Sequence, residues 1–258
     1  MERPVAFVTG SGRGIGVGIA VEMAKAGYDI TVHYARSAEG ALETKALVEA
    51  EGAKAHVVKG DIKKINEIDA MFEDALAAFG RIDVLVNNSG ITRFAPFLET
   101  TPEMFEEVVL TDWRGSYFCA QRAARSMVER GIRGTIINIT SNHQSGCWPA
   151  ASVYGPAKAA LNKFTQNAAL ELAKHGIRVV SVAPGYTHAN SKKAIPAKWR
   201  IKMDALISRI PLQRYCEPWE VGRACVFLAG RDAGYITGAC LVMDGGALLP
   251  CLPENTYI

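Results

Sequence analysis

Residues 5–16 read Val-Ala-Phe-Val-Thr-Gly-Ser-Gly-Arg-Gly-Ile-Gly, a short apolar run that ends in a glycine-rich turn and opens a helix-like stretch. A continuous apolar run as short as Val5–Thr9 suits a strand with both faces covered. Glycines 10, 14 and 16 allow a tight turn. They also let the backbone approach a pyrophosphate at a helix N-terminus, where amide donors and the helix dipole favour anions. A glycine-rich loop alone marks any tight strand-to-helix turn, but here it closes the first strand and opens the first helix of a βαβ unit, the context that gives it meaning. The candidate phosphate-loop residues are therefore Gly10, Ser11, Arg13, Gly14, Ile15 and Gly16. The absence of lysine excludes the phosphate loop of nucleoside triphosphatases.

Outward from this turn, strand-like runs recur at Ile30–Tyr34, Ala55–Lys59, Val84–Asn87, Thr135–Ile139, Arg178–Val182 and Cys240–Met243. Helix-like stretches at Ile15–Ala26, Ala41–Glu51, Ile65–Phe79, Ala157–Lys174 and Trp219–Ala229 lie between or after them. This alternation predicts an α/β fold: a Rossmann-type, doubly wound parallel sheet of about seven strands with helices on both faces. No repeat or Pro/Ser-rich linker divides the chain, so residues 1–258 read as one domain. The irregular stretch 186–211 is a candidate substrate lid, and 247–258 an apolar tail.

At the end of the second strand, a protein that binds NAD would carry an acid for the ribose hydroxyls. This chain has Tyr34-Ala35-Arg36-Ser37 and no carboxylate until Glu39. Guanidinium groups suit a phosphate. Arg36 together with Arg13 thus favours NADP over NAD, although either arginine taken alone is equally a solvated surface cation.

Tyr154 and Lys158 stand four residues apart at the start of a helix-like stretch, a spacing that puts both on one helix face. A cation beside a phenol stabilises phenolate, which suits proton exchange with an alcohol or carbonyl. Ser141 lies just past the strand Thr135–Ile139, at the carboxyl edge where open α/β sheets bind ligands.

With these residues assembled, the chain resembles the short-chain dehydrogenase/reductase family over nearly its whole length. The matching positions are Thr9–Gly16, Asp61, the Asn-Asn-Ser-Gly of 87–90, Ser141, Tyr154 with Lys158, and Pro184-Gly185. The resemblance implies that Ser141 orients the substrate oxygen, that Tyr154 is the general acid/base, and that Lys158 holds the nicotinamide ribose and assists Tyr154. It places Asp61 and the adjoining Ile62 near the adenine, Asn87 and Gly90 near the ribose, and Pro184, Gly185 and Thr187 beside the nicotinamide. Two positions depart from the family pattern. Asp112 stands where an asparagine usually completes the catalytic set, and is able either to hold a water or to pair with Lys158. Ala189 stands where a threonine is common, with Thr187 close by.

Within the family, the stretch 134–149 (GTIINITSNHQSGCWP) looks like that of bacterial glucose 1-dehydrogenases and related sugar dehydrogenases. By that likeness His143, Trp148 and Tyr186 line the substrate mouth with Ser141 and Tyr154, and Arg93 and Trp199 are weaker candidates. The implied activity interconverts a secondary alcohol or hemiacetal and its carbonyl, on a sugar or polyol. A 3-oxoacyl thioester reductase remains an alternative, for which Lys192, Lys193, Lys198, Arg200 and Lys202 would supply a basic docking patch. A catalytically impaired, cofactor-binding regulatory protein is a third.

Composition narrows the rest. Hydrophobic residues are 49% and charged residues 21%, ordinary globular usage. The net charge of +3 and sequence pI near 8.5 fall short of the concentrated basic face of a nucleic-acid binder. No apolar run is long enough to span a membrane, and because the N-terminus enters a strand-like run at once we expect no signal peptide. The six cysteines show no metal-ligand spacing, so we expect reduced thiols, no metal and a cytoplasmic location. The family resemblance implies a homotetramer built on helices near Pro102–Arg130 and Ala151–Lys174 together with the last strand.

Overall fold

The structure, a computed structural model, describes residues 3–188 and 206–249. Seven strands, β1 (Val5–Val8), β2 (Asp29–Tyr34), β3 (Ala55–Lys59), β4 (Val84–Asn87), β5 (Thr135–Ile139), β6 (Arg178–Pro184) and β7 (Cys240–Met243), form one parallel sheet. Their order is β3-β2-β1-β4-β5-β6-β7. The chain reverses its winding between β1 and β4, which pair directly, and this is where open α/β sheets take ligands.

Helices α1 (Ile15–Lys25), α2 (Ala38–Ala50), α3 (Ile65–Phe79), α4 (Pro102–Val108), α5 (Ser116–Glu129), α6 (Tyr154–Leu172) and α7 (Pro218–Ala229) cover the two faces. Alternate strand residues feed two separate cores. Val8, Val86, Ile137 and Val180 pack with Ile19, Met23 and Val221 on the α1/α7 side. Phe7, Leu85, Ile136 and Val179 pack with Phe72, Met71 and Met127 on the α3/α5 side. Burial on both faces explains why the strands read as continuous apolar runs. Gly18 lets α7 press against α1, since a Cβ there would collide with the Pro218 backbone.

The expected helix Pro102–Arg130 is interrupted. Residues Val109–Gly115 form a π-helical segment between α4 and α5, which drop into ordinary α geometry on either side. The extra residue in the turn shifts the helical register and brings Asp112 into the interior, where it is fully buried. Residues 189–205 and 250–258 lie outside the described part. Ala189, Lys192, Lys193, Lys198, Trp199, Arg200, Lys202 and the tail beyond Leu249 are therefore not placed. No described helix is long and apolar enough to cross a membrane.

Candidate active site

The glycine loop is built by hydrogen bonds that tie four strands together at their carboxyl ends. Thr9 Oγ1 accepts from the N–H groups of Asn88 (2.9 Å) and Ser89 (3.0 Å), and Asn88 Nδ2 donates to Thr9 O (2.9 Å). His33 on β2 fixes the turn from the other side. Its Nδ1 accepts from Gly10 N–H (2.9 Å), and its Nε2–H donates to Gly60 O (2.8 Å). That network assigns the Nε2–H tautomer. Complete burial pushes the His33 pKa down to about 4, so the ring is neutral near pH 7. Sequence reasoning missed His33, because a polar residue in a both-face-buried strand breaks no alternation.

The loop fits an anionic cofactor. Gly14 at the N-cap of α1 has a φ of 58°, no side chain caps the helix, and its first turn carries no acid. Its N-terminal amide dipole is thus left to an incoming phosphate. Gly16 is obligatory for packing, since a Cβ would lie 2.5 Å from Gly10 O and 2.6 Å from Asn88 Nδ2. Arg13 and Arg36 are exposed at the same edge, and neither makes an ion pair among the described residues. Asp61 follows β3 half-buried, its carboxylate accepting from Lys63 N–H at 3.1 Å, while the neighbouring Ile62 is buried. The Asn87 side chain turns inward, donating to Ser116 O (3.0 Å) and Asn138 Oδ1 (2.9 Å). Any support it gives a cofactor is therefore indirect, through β4, β5 and the start of α5.

Ser141 sits just past β5, Tyr154 opens α6, and Lys158 lies one turn further along the helix. The helix starts three residues earlier than its apolar periodicity suggests, so Tyr154 itself is helical. Lys158 Nζ lies 5.7 Å from the Tyr154 ring centroid and donates to Ile139 O at 3.2 Å. It also lies 3.2 Å from Asp112 Oδ2. The approach is out of line for a hydrogen bond, and the contact is a charge pair. Asp112 Oδ1 accepts from Ile91 N–H at 2.8 Å. Burial pushes the Asp112 carboxyl up, against the pull of Lys158 and Ile91. Burial alone would lower the Lys158 pKa, but Asp112 and Tyr154 outweigh it and hold the ammonium charged, with its pKa raised. Gly90 roofs this pair, for a Cβ there would stand 3.2 Å from Lys158 Nζ.

Aromatic rings line the mouth. His143 stacks on Trp148 with centroids 3.9 Å apart and meets Tyr154 edge-on at 5.2 Å. Trp148 Nε1–H donates to the Tyr186 hydroxyl at 3.2 Å. Phe94 packs against both His143 (6.0 Å) and Tyr154 (6.1 Å). Phe94 escaped the sequence reading because it lies on a loop without motif or period. Arg93 instead pairs with Glu107 at 3.1 Å on the surface. Pro184 is buried at the end of β6, Gly185 N–H donates to Met243 O (3.0 Å), and Thr187 Oγ1 donates to Gly185 O (3.2 Å). A cavity of about 470 Å³ adjoins this edge, lined by Tyr186, Leu212, Cys216, Met243, Gly246 and Leu249 among others. A larger open depression of about 810 Å³ lies at the opposite, N-terminal edge of the sheet, between Arg81, Asp83, Arg130 and Arg133. Its Arg81 is paired with Asp83 and its Arg130 with Glu129, while Ser141, Tyr154 and Lys158 lie elsewhere, and we place the site at the carboxyl edge. Among the described residues no group of His, Cys, Asp or Glu converges as a metal site would, and the five described cysteines are unpaired.

Comparison with known proteins agrees with this geometry. Residues 10–247 match a family model described as enoyl-(acyl carrier protein) reductase. The chain is 39% identical to the uncharacterised oxidoreductase YohF of Escherichia coli K12, over 95% of this chain and 96% of that one. It is 34% identical to the 3-oxoacyl-[acyl-carrier-protein] reductase FabG of Staphylococcus epidermidis, over 93% and 97%. Among solved structures, acetoin dehydrogenase from Enterobacter cloacae superposes with a TM-score of 0.87 at 38% identity, covering 98% of each chain. Acetoin dehydrogenase YohF from Salmonella typhimurium gives 0.89 at 33%, again covering 98% of each. With a parallel sheet that switches winding at β1/β4, a glycine loop at that edge and a Ser–Tyr–Lys cluster beside it, the chain belongs to the short-chain dehydrogenase/reductase family of oxidoreductases.

Proposed function

We propose that the protein is an NADP(H)-dependent oxidoreductase that interconverts a secondary alcohol and its carbonyl on a sugar, polyol or small hydroxyketone. The observation that carries this reading is the convergence of Ser141, Tyr154 and the buried Lys158 on one strand edge next to the uncapped α1. Tyr154 gives a proton to the substrate carbonyl oxygen or takes one from the alcohol, and Ser141 hydrogen-bonds the same oxygen. Lys158 places its charge beside Tyr154 and shares it with Asp112. The hydride would come from, or pass to, a nicotinamide cofactor held across the loop. Gly10, Ser11, Gly14, Ile15 and Gly16 would hold its pyrophosphate, Asp61 its adenine end, and Gly90, Pro184, Gly185 and Thr187 its nicotinamide end. Arg13 and Arg36 support NADP, since the end of β2 offers guanidinium groups and no carboxylate.

His143 supports a hydroxylated substrate, as a half-buried polar group in an otherwise aromatic wall. The likeness to acetoin dehydrogenases extends the sugar or polyol reading towards small α-hydroxyketones. The likeness to FabG keeps 3-oxoacyl thioester reduction as the second reading. Steady-state rates with acetoin, a panel of aldoses and acetoacetyl thioesters, each with NADPH and NADH, distinguish them. Turnover of the thioester alone would reject the hydroxylated substrate. Tyr154→Phe should bind NADPH yet lose about 10³-fold in turnover. Failure of the wild-type enzyme with every substrate, despite tight cofactor binding, would favour a catalytically impaired regulatory protein. We read residues 1–258 as one domain of a cytoplasmic homotetramer. Exposed Trp113 and Tyr117 near the start of α5, and Leu241 and Val242 on β7, offer apolar faces for that assembly. Light scattering on the purified protein checks its mass.

A further inference from the structure

Ser141 is tethered twice to one residue. Its Oγ accepts from the His143 backbone N–H at 3.2 Å and lies 3.2 Å from His143 Nδ1. A hydroxyl has one proton and two acceptor lone pairs. If Nδ1 is bare, the serine proton is spent on it and none remains for a substrate carbonyl. If Nδ1 carries the ring proton, both lone pairs of Oγ are filled from His143 and the serine proton is free to leave towards the cleft. The two arrangements therefore differ in whether Ser141 is able to donate to the reacting oxygen.

The imidazole is held firmly enough for this to matter. It lies against the indole of Trp148 at 3.9 Å and 20°, meets the edge of Tyr154, and faces Phe94. Trp148 is in turn anchored on Tyr186. Burial lowers the His143 pKa, so the neutral ring carries a single proton. Among the described residues, Nε2 has no hydrogen-bond partner.

We infer that His143 is a positioning residue: as the Nδ1–H tautomer it turns the Ser141 proton onto the substrate carbonyl oxygen and leaves Nε2 to accept a hydroxyl on the neighbouring substrate carbon. The first half concerns the protein alone. The second rests on the reading of the substrate as hydroxylated. A ketone without that hydroxyl leaves a polar nitrogen unpaired in an aromatic wall, which is how one ring both orients the chemistry and selects the substrate.

Two substitutions separate the nitrogens. Asparagine places an amide donor near the position of Nδ1 and nothing at Nε2; glutamine reaches towards Nε2 and leaves Nδ1 empty. His143→Asn should keep more than roughly a tenth of the wild-type kcat, but lose about 10-fold of the preference for acetoin over 2-butanone. His143→Gln should lose about 10-fold or more in kcat relative to His143→Asn, because Ser141 keeps its proton but loses the contact that aims it at the reacting oxygen. Glutamine outperforming asparagine in kcat, or effects confined to KM in both variants, would overturn the assignment. Nitrogen-15 NMR of the histidine rings tests the first half without turnover. We expect the His143 proton on Nδ1 in the wild-type protein, and an Nδ1 resonance that moves in Ser141→Ala. A proton on Nε2, or no response to Ser141→Ala, refutes the inference even if the enzyme turns over acetoin. Absence of any ketone turnover alongside the expected spectrum would instead refute the functional reading and, with it, the role given to Nε2.

Discussion

Lys158 and Asp112 form an ion pair in the interior of the site: their charged atoms are 3.2 Å apart and their side chains only 5% and 0% exposed. Taking two charges out of water is costly, and breaking such a pair from one side leaves the other uncompensated. Asp112→Ala should therefore lower stability by about 3–5 kcal/mol. In a chain of this size each kcal/mol moves the melting temperature by roughly 2–4 °C. Asp112→Ala combined with Lys158→Met removes both charges, and should recover most of that loss while remaining inactive. A double-mutant cycle by thermal melting measures the coupling; if the double variant is no more stable than Asp112→Ala, the pair is not what holds this region.

His33 makes stability depend on pH in a defined direction. Its folded pKa is about 4, against 6.5 for the free side chain. Because the unfolded chain binds the proton more readily, the contribution is complete above pH 6.5 and drains away as the pH falls towards 4. At about 1.4 kcal/mol per pH unit this amounts to about 3 kcal/mol. His33→Gln loses the ring's fit between Gly10 and Gly60 at neutral pH but has nothing to titrate. The stability gap between wild type and variant, from urea unfolding at several pH values, should narrow between pH 6.5 and 4. A constant gap would show that the ring is not buried neutral.

Several elements are fully legible in the sequence, and the reasons are local. Ile65–Phe79 has a clear helical apolar face and a left-handed Gly80 to end it, and the structure returns those bounds. The strand bounds Ala55–Lys59, Val84–Asn87, Thr135–Ile139 and Cys240–Met243 are likewise recovered. The π segment at Val109–Gly115 was not legible, because one added residue per turn leaves an apolar pattern that a plain helix also explains. At the site, Tyr154, Lys158 and Ser141 carried local signals of spacing and strand edge. His33 and Phe94 carried none: one acts through backbone groups brought together by β2, the other through a loop folded onto α6's first turn.

Gly16 tests the phosphate loop separately from the chemistry. An added methyl would run into Gly10 O at 2.5 Å and Ser11 Cα at 2.8 Å, both backbone atoms that move only if the loop moves. Gly16→Ala should therefore weaken NADPH binding by at least about 10-fold, with a modest change in melting temperature because the sheet beneath is untouched. Isothermal titration of NADPH reads this directly. Binding within two-fold of wild type would mean that the cofactor does not lie on this turn.

The cofactor preference turns on Arg36 and Arg13, since both are exposed at the loop edge and neither is committed to an ion pair among the described residues. A guanidinium facing a phosphate makes charge-assisted hydrogen bonds worth about 1.5–3 kcal/mol, or roughly 10–100-fold in affinity. Arg36→Ala should weaken NADPH by that factor and leave NADH nearly unchanged, because only the former carries the extra phosphate. Arg36→Asp should go further. It restores the carboxylate that the Tyr34-Ala35-Arg36-Ser37 turn lacks, and so should favour NADH by holding its ribose hydroxyls. Raising ionic strength should erode the wild-type preference for NADPH, since exposed charges are screened, and should have a smaller effect on Arg36→Ala, which retains only Arg13. Equal losses for both cofactors in Arg36→Ala would assign Arg36 to the shared part of the dinucleotide and remove the physical basis for NADP preference.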